Sequence, residues 1–330
     1  MKRSIGTNPT MKDVAREAGV SLGTVSRVIN GIPVGEEYRF RVEKAITKLG
    51  YQVNSFARSL KTNRTDCVAL LMPSLYHPFY AILTDELTAC LTRNGYRCML
   101  MITNYDPEAE QKCFRLAKQN KVDGVIALTY SPNLIIEDRF PVVTIDRHLG
   151  DTIPCVSSDN FHGGQMAAEK LLSLGCEKLL FMRIGPDVLG EADKRGAGFE
   201  NICRQRGAEY DTIILNDRDT VEPFFRFLDG HIHGGKLDFD GIFCHADWLA
   251  CRVRAYLTDK GISVPGQVQI IGYDGMVDYN TGKPLCSTIV QPLSRMAESA
   301  VRLLLDPQST VLGSNICLPV TYSPGGTTRE

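Results

Sequence analysis

Hydrophobic side chains in the first fifty residues recur at helical spacing and predict a small helical bundle. Thr10 can cap a first helix and Gly19 can end it, and one face of this helix carries Val14, Ala15 and Ala18. Ser21 can cap a second helix, whose apolar face carries Val25, Val28 and Ile29. Two short helices joined by a tight glycine-containing turn form a helix-turn-helix, although small helical hairpins of other kinds share this pattern.

A loop from Gly31 to Glu37 and a helix from Tyr38 to Leu49 complete the predicted head, with Val42, Ala45, Ile46 and Leu49 facing inward. The next helix-forming segment, Ser55 to Lys61, has no apolar face of its own. We expect this segment to be marginal in isolation and to order only against a partner.

From Cys67 onward, short apolar runs alternate with helical stretches. Eight runs have the length and composition of buried strands: Cys67–Met72, Cys98–Thr103, Gly124–Leu128, Val142–Ile145, Leu179–Ile184, Thr212–Leu215, Gly241–Cys244 and Val268–Gly272. Helices are predicted at Ala81–Asn94, Glu108–Asn120, Gly164–Leu174, Gly196–Arg206 and Asp247–Lys260. The alternation predicts an α/β fold of parallel sheets flanked by helices, in two similar halves with a cleft between them.

Charge is distributed unevenly along the chain. Of the 330 residues, 43% are hydrophobic and 23% charged, which is typical of a globular protein with two or three domains. Residues 1–64 hold 12 Lys and Arg and 5 Asp and Glu, a net +7, which leaves 25 and 33, a net −8, for residues 65–330. A basic head on an acidic body is typical of a nucleic-acid-binding module joined to a second domain.

Two further features bear on the compartment. The polar N-terminus lacks an apolar signal region and no run is long enough to span a membrane, so we expect a cytoplasmic protein. The 11 cysteines are scattered singly and in odd number, which disfavours a disulfide framework.

Three linked segments make the interpretation of the head more specific. GVSLGTVSRVING is followed by RVEKAITKLGY and then by SFARSLK. In this order they resemble the DNA-binding head and hinge of the LacI/GalR family of bacterial transcription regulators. The resemblance implies a head and hinge helix at residues 1–64 and a two-lobed effector-binding and dimerisation domain at 65–330, similar to the periplasmic sugar-binding proteins. It also implies that the chain crosses back, so that about 65–161 plus 291–330 form the first lobe and about 162–290 the second.

The resemblance assigns roles to residues of the head and hinge. Base edges in the major groove would face Leu22, Gly23 and Arg27, and the phosphates would lie near Thr24 and Ser26. Leu60 of ARSLK would wedge into the minor groove. The full predicted DNA-binding set is Thr10, Ser21, Leu22, Gly23, Thr24, Ser26, Arg27, Asn30, Ala57, Leu60 and Lys61. The family usually has proline where Val53 stands, so this linker is expected to be less stiff.

The sequence lacks the common motifs of catalysis. It has no G-x-G-x-x-G after a strand, no P-loop, no H-E-x-x-H and no G-x-S-x-G. His231 and His233 lie in a GHIHGG loop, which favours a solvated turn over a metal site. We therefore expect no catalytic residue, no cofactor and no metal.

Polar residues follow several of the predicted strands. Ligands of open α/β sheets lie beyond the carboxyl ends of strands, and Asp146–Arg147, Asp247 and Asp274 fall at such points. Each aspartate alone also fits a helix cap or a loop. Together with Arg195 they suit the vicinal hydroxyls of a sugar, because a carboxylate accepts two hydrogen bonds and a guanidinium donates a fork of them.

Aromatic residues near these positions could supply the apolar part of such a site, unless they pack between the halves. They are Tyr76, Phe79, Tyr80, Phe161 and Trp248. The predicted effector set takes all of these except Tyr80, and it also includes Gln291, where the chain is expected to return to the first lobe. The family resemblance implies effector contacts at Asp146, Arg195 and Asp274. The family's usual polar residue before Asp247 is Ala246 here, so one contact is missing or replaced.

The segment IDRHLGDTIPCVSSDNFHGG most resembles the sugar-responsive members, which favours a carbohydrate over a purine. We therefore predict a homodimeric repressor of a near-palindromic operator whose affinity is controlled by a small sugar in the cleft. A regulator of the same fold that needs a corepressor, such as a purine or sugar phosphate, or a protein partner is the alternative. An enzyme or simple carrier is the third hypothesis.

Overall fold

The structure is a computed structural model, and it describes residues 9–51, 64–131, 134–136, 140–185, 190–216, 220–306 and 314–330. The chain divides into two compact units, Met1–Thr65 and Asp66–Glu330. The predicted hinge segment from Ser55 to Lys61, with Ala57, Leu60 and Lys61, lies outside the described residues.

Between residues 9 and 51 the first unit forms three helices, α1 (Met11–Ala18), α2 (Leu22–Ile29) and α3 (Glu36–Leu49). Their buried faces meet in one small core, formed mainly by Val14, Ala15, Ala18, Val25, Val42 and Ala45. Gly19 and Gly50 end α1 and α3 in the left-handed conformation, which glycine adopts without strain. Helix α3 begins at Glu36 instead of the predicted Tyr38, because Gly35 takes the N-cap and two glutamates fill the first turn, where they complement the helix dipole.

The second unit alternates strands and helices. In chain order they are β1 (Cys67–Met72), α4 (Pro78–Arg93), β2 (Arg97–Ile102), α5 (Pro107–Gln119), β3 (Gly124–Ala127), β4 (Val142–Ile145), β5 (Cys155–Ser158), α6 (Asn160–Ser173), β6 (Lys178–Ile184), α7 (Lys194–Arg206), β7 (Glu209–Leu215), α8 (Glu222–Asp229), β8 (Ile232–His233), β9 (Lys236–Leu237), β10 (Gly241–Cys244), α9 (Asp247–Asp259), β11 (Gln269–Asp274), β12 (Thr288–Val290), α10 (Leu293–Leu305), β13 (Asn315–Leu318) and β14 (Thr321–Ser323).

Two six-stranded sheets form the centres of the two lobes. The first has the order β13-β5-β4-β3-β1-β2 and is parallel throughout. The second has the order β14-β12-β11-β10-β6-β7 and is parallel except for β14, which runs antiparallel to β12. Helices cover both faces of each sheet, so the central strands are buried throughout and appear in the sequence as continuous apolar runs. This is the predicted α/β fold.

The chain passes between the lobes at three places: from β5 to α6, from β12 to α10, and from β13 to β14. Helix α10 packs in the first lobe against α4, and β13 closes the edge of the first sheet. The prediction that residues 291–330 belong wholly to the first lobe is wrong, because Thr321–Ser323 pairs with β12 in the second sheet. Residues after Ser323 stay there, since Thr327 and Arg329 bond to Ile270 and Gln269.

Candidate effector cleft and DNA-binding head

A cleft of about 710 Å³ lies between the lobes of the second unit, at the carboxyl ends of the parallel strands. The first lobe lines it with residues that follow β1, β2, β3 and β4, and the second with residues that follow β6, β10 and β11. Its volume is within the usual range for sites that bind small molecules.

Three ionisable side chains meet at the floor of this cleft. Arg195 of α7 lies with Nη1 3.6 Å from Oδ1 of Asp274, and its guanidinium carbon sits 3.7 Å from the centre of the Tyr273 ring. Its Nε donates to Asn160 Oδ1 at 2.7 Å, and Nη1 donates to the His245 carbonyl at 2.7 Å. Asp146, at the end of β4, completes the set from the first lobe. These contacts fix the guanidinium and leave its position little freedom.

Both aspartates sit on strained backbone. Asp146 has a φ of 56° and Asp274 a φ of 116°, values that residues other than glycine rarely adopt. Strain of this kind persists only where the surrounding structure imposes it, and it clusters at binding sites. Oδ1 of Asp146 is buried without a hydrogen-bond partner among the described residues. The floor of the cleft therefore offers an acceptor that the protein does not use.

Burial also changes the protonation of these carboxyl groups. Desolvation raises the pKa of Asp146 to about 6 and the pKa of Asp274 to about 8, although the Arg195 cation acts in the opposite direction on both. A hydrogen-bond donor that enters the cleft would favour the ionised form of either group. The arrangement suits a ligand that brings several hydroxyl groups.

Glycines in α6 and α7 bring Arg195 into the cleft. A Cβ atom at Gly164 would overlap the carbonyl oxygen of Arg195, and one at Gly198 would overlap that of Phe161. The two helices can therefore approach until their backbones touch, and this close packing places the first turn of α7 at the floor. This close packing explains the RGAGF sequence, because the small glycines allow the approach that positions the arginine.

Aromatic side chains form the wall on the first lobe. The hydroxyl groups of Tyr80 and Tyr130 lie 2.7 Å apart, and the Tyr105 ring packs against both, with centroid distances of 6.4 and 5.3 Å. The Arg147 guanidinium lies 5.3 Å from the centre of the Tyr130 ring. Trp248 faces this wall from the second lobe. Such rings can pack against the C–H faces of a sugar.

Seven members of the predicted effector set line the cleft: Tyr76, Phe79, Asp146, Arg147, Arg195, Trp248 and Asp274. Phe161 does not. Its backbone packs against Gly198, while its side chain is exposed on the first turn of α6. Gln291 lies behind Asp274, to which its Nε2 donates at 2.7 Å, and its Oε1 accepts from Ser158 at 2.7 Å. Gln291 thus joins the two lobes beneath the floor.

Asp247, for which a direct ligand contact was predicted, lies outside the lining of the cleft. This side chain is fully buried. Its Oδ2 accepts from the Met276 backbone at 2.6 Å, and its Oδ1 accepts from the Thr288 hydroxyl at 2.6 Å and from the Cys286 thiol at 3.4 Å. With these donors in place, Asp247 connects the start of α9 to β12 and to the loop after β11.

Tyr80, a candidate aromatic left out of the predicted set, also lines the cleft. Several further cleft residues were absent from the sequence-based prediction: His77, Tyr105, Tyr130, Arg183, Glu222, His245 and Arg252. A signal was available for two of them. His77 stands directly before Pro78, where a helix begins at the end of a strand–loop segment, and Arg183 interrupts the apolar run of β6 just before its carboxyl end. Arg183 forms an ion pair with Asp193.

The head presents the predicted DNA-binding residues on and around α2. Ser21 caps this helix by accepting from the Thr24 amide at 3.1 Å, and Thr10 with Asp13 forms a capping box on α1. Leu22, Gly23, Arg27 and Asn30 are exposed, whereas Thr24 and Ser26 are half-buried. Asn30 donates to the Ser26 carbonyl at 2.7 Å and so ends the helix. Among the described residues, no group of three His, Cys, Asp or Glu side chains could hold a metal ion, and no helix there could span a membrane.

A helix-turn-helix head and a two-lobed domain with a polar cleft define a ligand-binding transcription regulator. Residues 10–54 match the family described as bacterial regulatory proteins of the lacI family, and residues 65–302 match periplasmic binding proteins and the sugar-binding domain of the LacI family. The chain belongs to the LacI family. It is a DNA-binding repressor with a sugar-binding domain.

Known proteins are similar to this chain over most of its length. The chain is 34% identical to the ribose operon repressor of Bacillus subtilis (strain 168) over 326 residues, which cover 97% of this chain and 99% of that relative. A LacI transcriptional regulator from Alkaliphilus metalliredigens QYMF, solved with D-xylulofuranose, is 29% identical and superimposes with a TM-score of 0.69 over 80% of this chain and 100% of its own. The Lac repressor dimer bound to operator and the anti-inducer ONPF, 21% identical, shares the fold with a TM-score of 0.84 over 98% of this chain and 100% of its own.

Proposed function

We propose that this protein represses genes of sugar uptake or breakdown and that a neutral sugar in the cleft releases it from its operator. The observation that carries the proposal is the set formed by Asp146, Asp274 and Arg195 between walls of aromatic rings. It offers paired acceptors and a fixed donor fork, which matches vicinal hydroxyl groups on a ring with an apolar face. The relatives named above, a ribose operon repressor and a regulator solved with D-xylulofuranose, support a sugar of this kind.

A neutral sugar is favoured because three of the arginines that line the cleft already lie against groups of the protein. Arg195 lies against Asp274, and Arg183 is paired with Asp193. Arg147 packs on Tyr130 and has a further electrostatic or hydrogen-bond interaction. A phosphate or carboxylate group on the ligand would have to draw Arg183 or Arg195 away from these partners and would be repelled by Asp146 and Asp274 wherever they are ionised, which costs free energy in a desolvated site.

On DNA, α2 enters the major groove and Arg27 reads a base edge, most favourably guanine. Thr24 and Ser26 face phosphates, and Leu60 of the hinge enters the minor groove. One head makes few contacts, so two heads on one near-palindromic site are needed for tight binding.

The protein acts as a homodimer, as the Lac repressor does in its solved complex with operator. The edge of the first sheet leaves Leu100 and Ile102 of β2 exposed, beside Ile82 of α4. A second copy of the chain would cover this apolar strip. Binding of sugar favours one closure state of the lobes, and the change in operator affinity is limited by the difference in sugar affinity between the two states.

The activity is binding, without catalysis, and it takes place on DNA in the cytoplasm. The relatives support this, because they are transcription regulators. Incubation of the protein with a bound sugar should return the sugar unchanged, as judged by its proton NMR spectrum.

The test is fluorescence anisotropy on a labelled near-palindromic fragment from upstream of the protein's own gene. Salt is held fixed because phosphate contacts make affinity steeply salt-dependent. The proposal expects tight binding that weakens with one sugar of a panel, and Asp274→Ala should abolish the response without changing DNA affinity. Asp259→Ala, at an exposed position on α9, is the matched control. DNA binding that appears only when a ligand is added would instead establish a corepressor.

A further inference from the structure

His77 occupies a distinctive place in the cleft. It precedes Pro78 and caps α4, on the first lobe, and its ring is half-buried in the cleft wall. The ring centroid lies 5.1 Å from that of Tyr80 on the same lobe and 6.4 Å from that of Trp248 on the second lobe. A ligand between the lobes therefore meets His77 and Trp248 together.

The hydrogen bonding of His77 fixes its tautomer. Nδ1 accepts from the backbone amide of Phe79 at 3.2 Å, which is the helix-capping bond. A nitrogen that accepts cannot carry a proton. Burial, with the Arg195 cation as the second cause, lowers the pKa of His77 to about 4, so the ring is neutral at physiological pH and its one proton is on Nε2.

The Nε2–H group is a donor that the protein leaves for another molecule. No described residue accepts a hydrogen bond from it. The rings around it offer little competition, since Tyr80 directs its hydroxyl to Tyr130 and Trp248 carries only an N–H donor.

We propose that His77 is a specificity-determining residue of the effector cleft, whose Nε2–H donates to a hydroxyl or ring oxygen of the sugar. The inference rests on the proposed function and deepens it. Asp146 and Asp274 accept hydrogen bonds from the ligand at the floor, so a fixed donor in the cleft wall sets the direction of the hydroxyl that reaches it. A site of this kind rejects an ammonium group at that position, because the ammonium has no lone pair to accept the bond.

The role as a helix cap and the role as a ligand donor can be separated by substitution. His77→Ser keeps a capping oxygen for the Phe79 amide but has no Nε2–H, so α4 should stay folded while ligand affinity falls. His77→Asn keeps the cap and adds a shorter amide donor, and it serves as the second variant if serine impairs folding. His233→Ser, at an exposed histidine outside the cleft, is the matched control.

The measurement is isothermal titration calorimetry on the full chain with D-ribose, D-xylulose, sucrose and cellobiose as probes. For a sugar that binds the wild type, we expect His77→Ser to weaken binding by about threefold to tenfold and His233→Ser to leave it unchanged. The deoxy analogue that lacks the contacted hydroxyl should bind the wild type more weakly than the parent sugar does. On His77→Ser, the deoxy analogue and the parent sugar should bind with the same affinity.

Two results would overturn the inference. If His77→Ser and the wild type bind the sugar and each of its deoxy analogues alike, His77 is only a helix cap, and the proposed function stands. If no sugar of the panel binds the wild type, the proposed function fails, and the role of His77 fails with it.

Discussion

Gly164 on α6 lies against the backbone of Arg195 on α7, so closely that a Cβ atom at Gly164 would overlap the Arg195 carbonyl oxygen. The arginine that crosses the floor of the cleft is thus positioned by a residue on another helix that never faces the ligand.

Gly164→Ala should therefore destabilise the second lobe and weaken sugar binding together. Backbone atoms cannot move aside as a flexible side chain can, so we expect a loss of about 3 kcal/mol in the free energy of unfolding, at the upper end of the usual cost of overpacking. The chain has a single tryptophan, Trp248, in the cleft. Thermal or urea unfolding followed by its fluorescence reports on this unit alone.

Gly23→Ala is the control, since it makes the same change within a helix where the nearest atom, Ser21 Oγ, would lie 3.6 Å from the new Cβ. It should leave the Trp248 transition unchanged. Equal behaviour of the two variants would show that the α6–α7 contact does not hold Arg195 in place.

Asp247 lies near the cleft without lining it, so its substitution should affect stability and leave ligand binding nearly unchanged. Asp247→Asn removes an acceptor from the Met276 amide or from the Thr288 hydroxyl, because an amide nitrogen cannot accept. We expect a loss of roughly 1–3 kcal/mol in stability with sugar affinity nearly unchanged. Loss of affinity without loss of stability would return Asp247 to the ligand-binding set.

Arg27 should govern discrimination between DNA sequences. Arg27→Ala is expected to weaken operator binding by about 1–3 kcal/mol per head while binding to a scrambled fragment changes little. The measurement is a pair of anisotropy titrations at one salt concentration. Arg39→Ala on α3, where the arginine is also exposed, is the control. An equal loss on both DNA fragments would mean that Arg27 contacts phosphate only.

The pH dependence of stability follows from the buried carboxyl groups. Burial raises the pKa of Asp274 to about 8 and the pKa of Asp247 to about 7, from an ordinary value of 3.8. Because the folded-state pKa exceeds the unfolded one, protonation stabilises the fold, and this contribution is lost as the pH rises through the folded-state pKa. His77 and His245 have lowered pKa values and are neutral in both states above about pH 6.5.

The ligand-free protein should therefore lose stability between about pH 6.5 and pH 8.5. Asp274→Asn should flatten this decline, since the amide does not titrate, whereas Asp259→Asn at the exposed end of α9 should not. The unfolding temperature measured at several pH values in buffers of matched ionic strength provides the check. A wild-type profile that is level over this range contradicts the assignment.

The sequence predicted those parts of the fold that local patterns determine. The bounds of β1, β4 and β10 match the prediction, because a continuous apolar run between polar residues has few other structures available. The short strands β12 and β14 escaped prediction, since their three residues carry too little pattern. Their pairing is decided by tertiary contacts.

The cleft was predictable where strand ends supplied the residue, and at Arg195, which the family resemblance indicated. Asp146 and Asp274 follow apolar runs and were found in this way. Asp247 follows one too, but its partner Thr288 is 41 residues further along the chain, so the sequence could not show that its carboxylate was already satisfied. Tyr105 and Tyr130 follow strands whose tyrosines meet only after the sheet has formed.

Strand β13 pairs with β5 at the edge of the first sheet, although nearly the whole second lobe separates them in the sequence. A ribosome makes the first lobe early yet delivers its edge strand almost last. Until then β5 presents an unpaired row of amide and carbonyl groups, which is a template for wrong pairing with another nascent chain. The second lobe from β6 to β12 is continuous in sequence and can assemble as it emerges. The vulnerable interval in the life of this protein is therefore its synthesis, when a chaperone that covers β5 would have the greatest effect on yield.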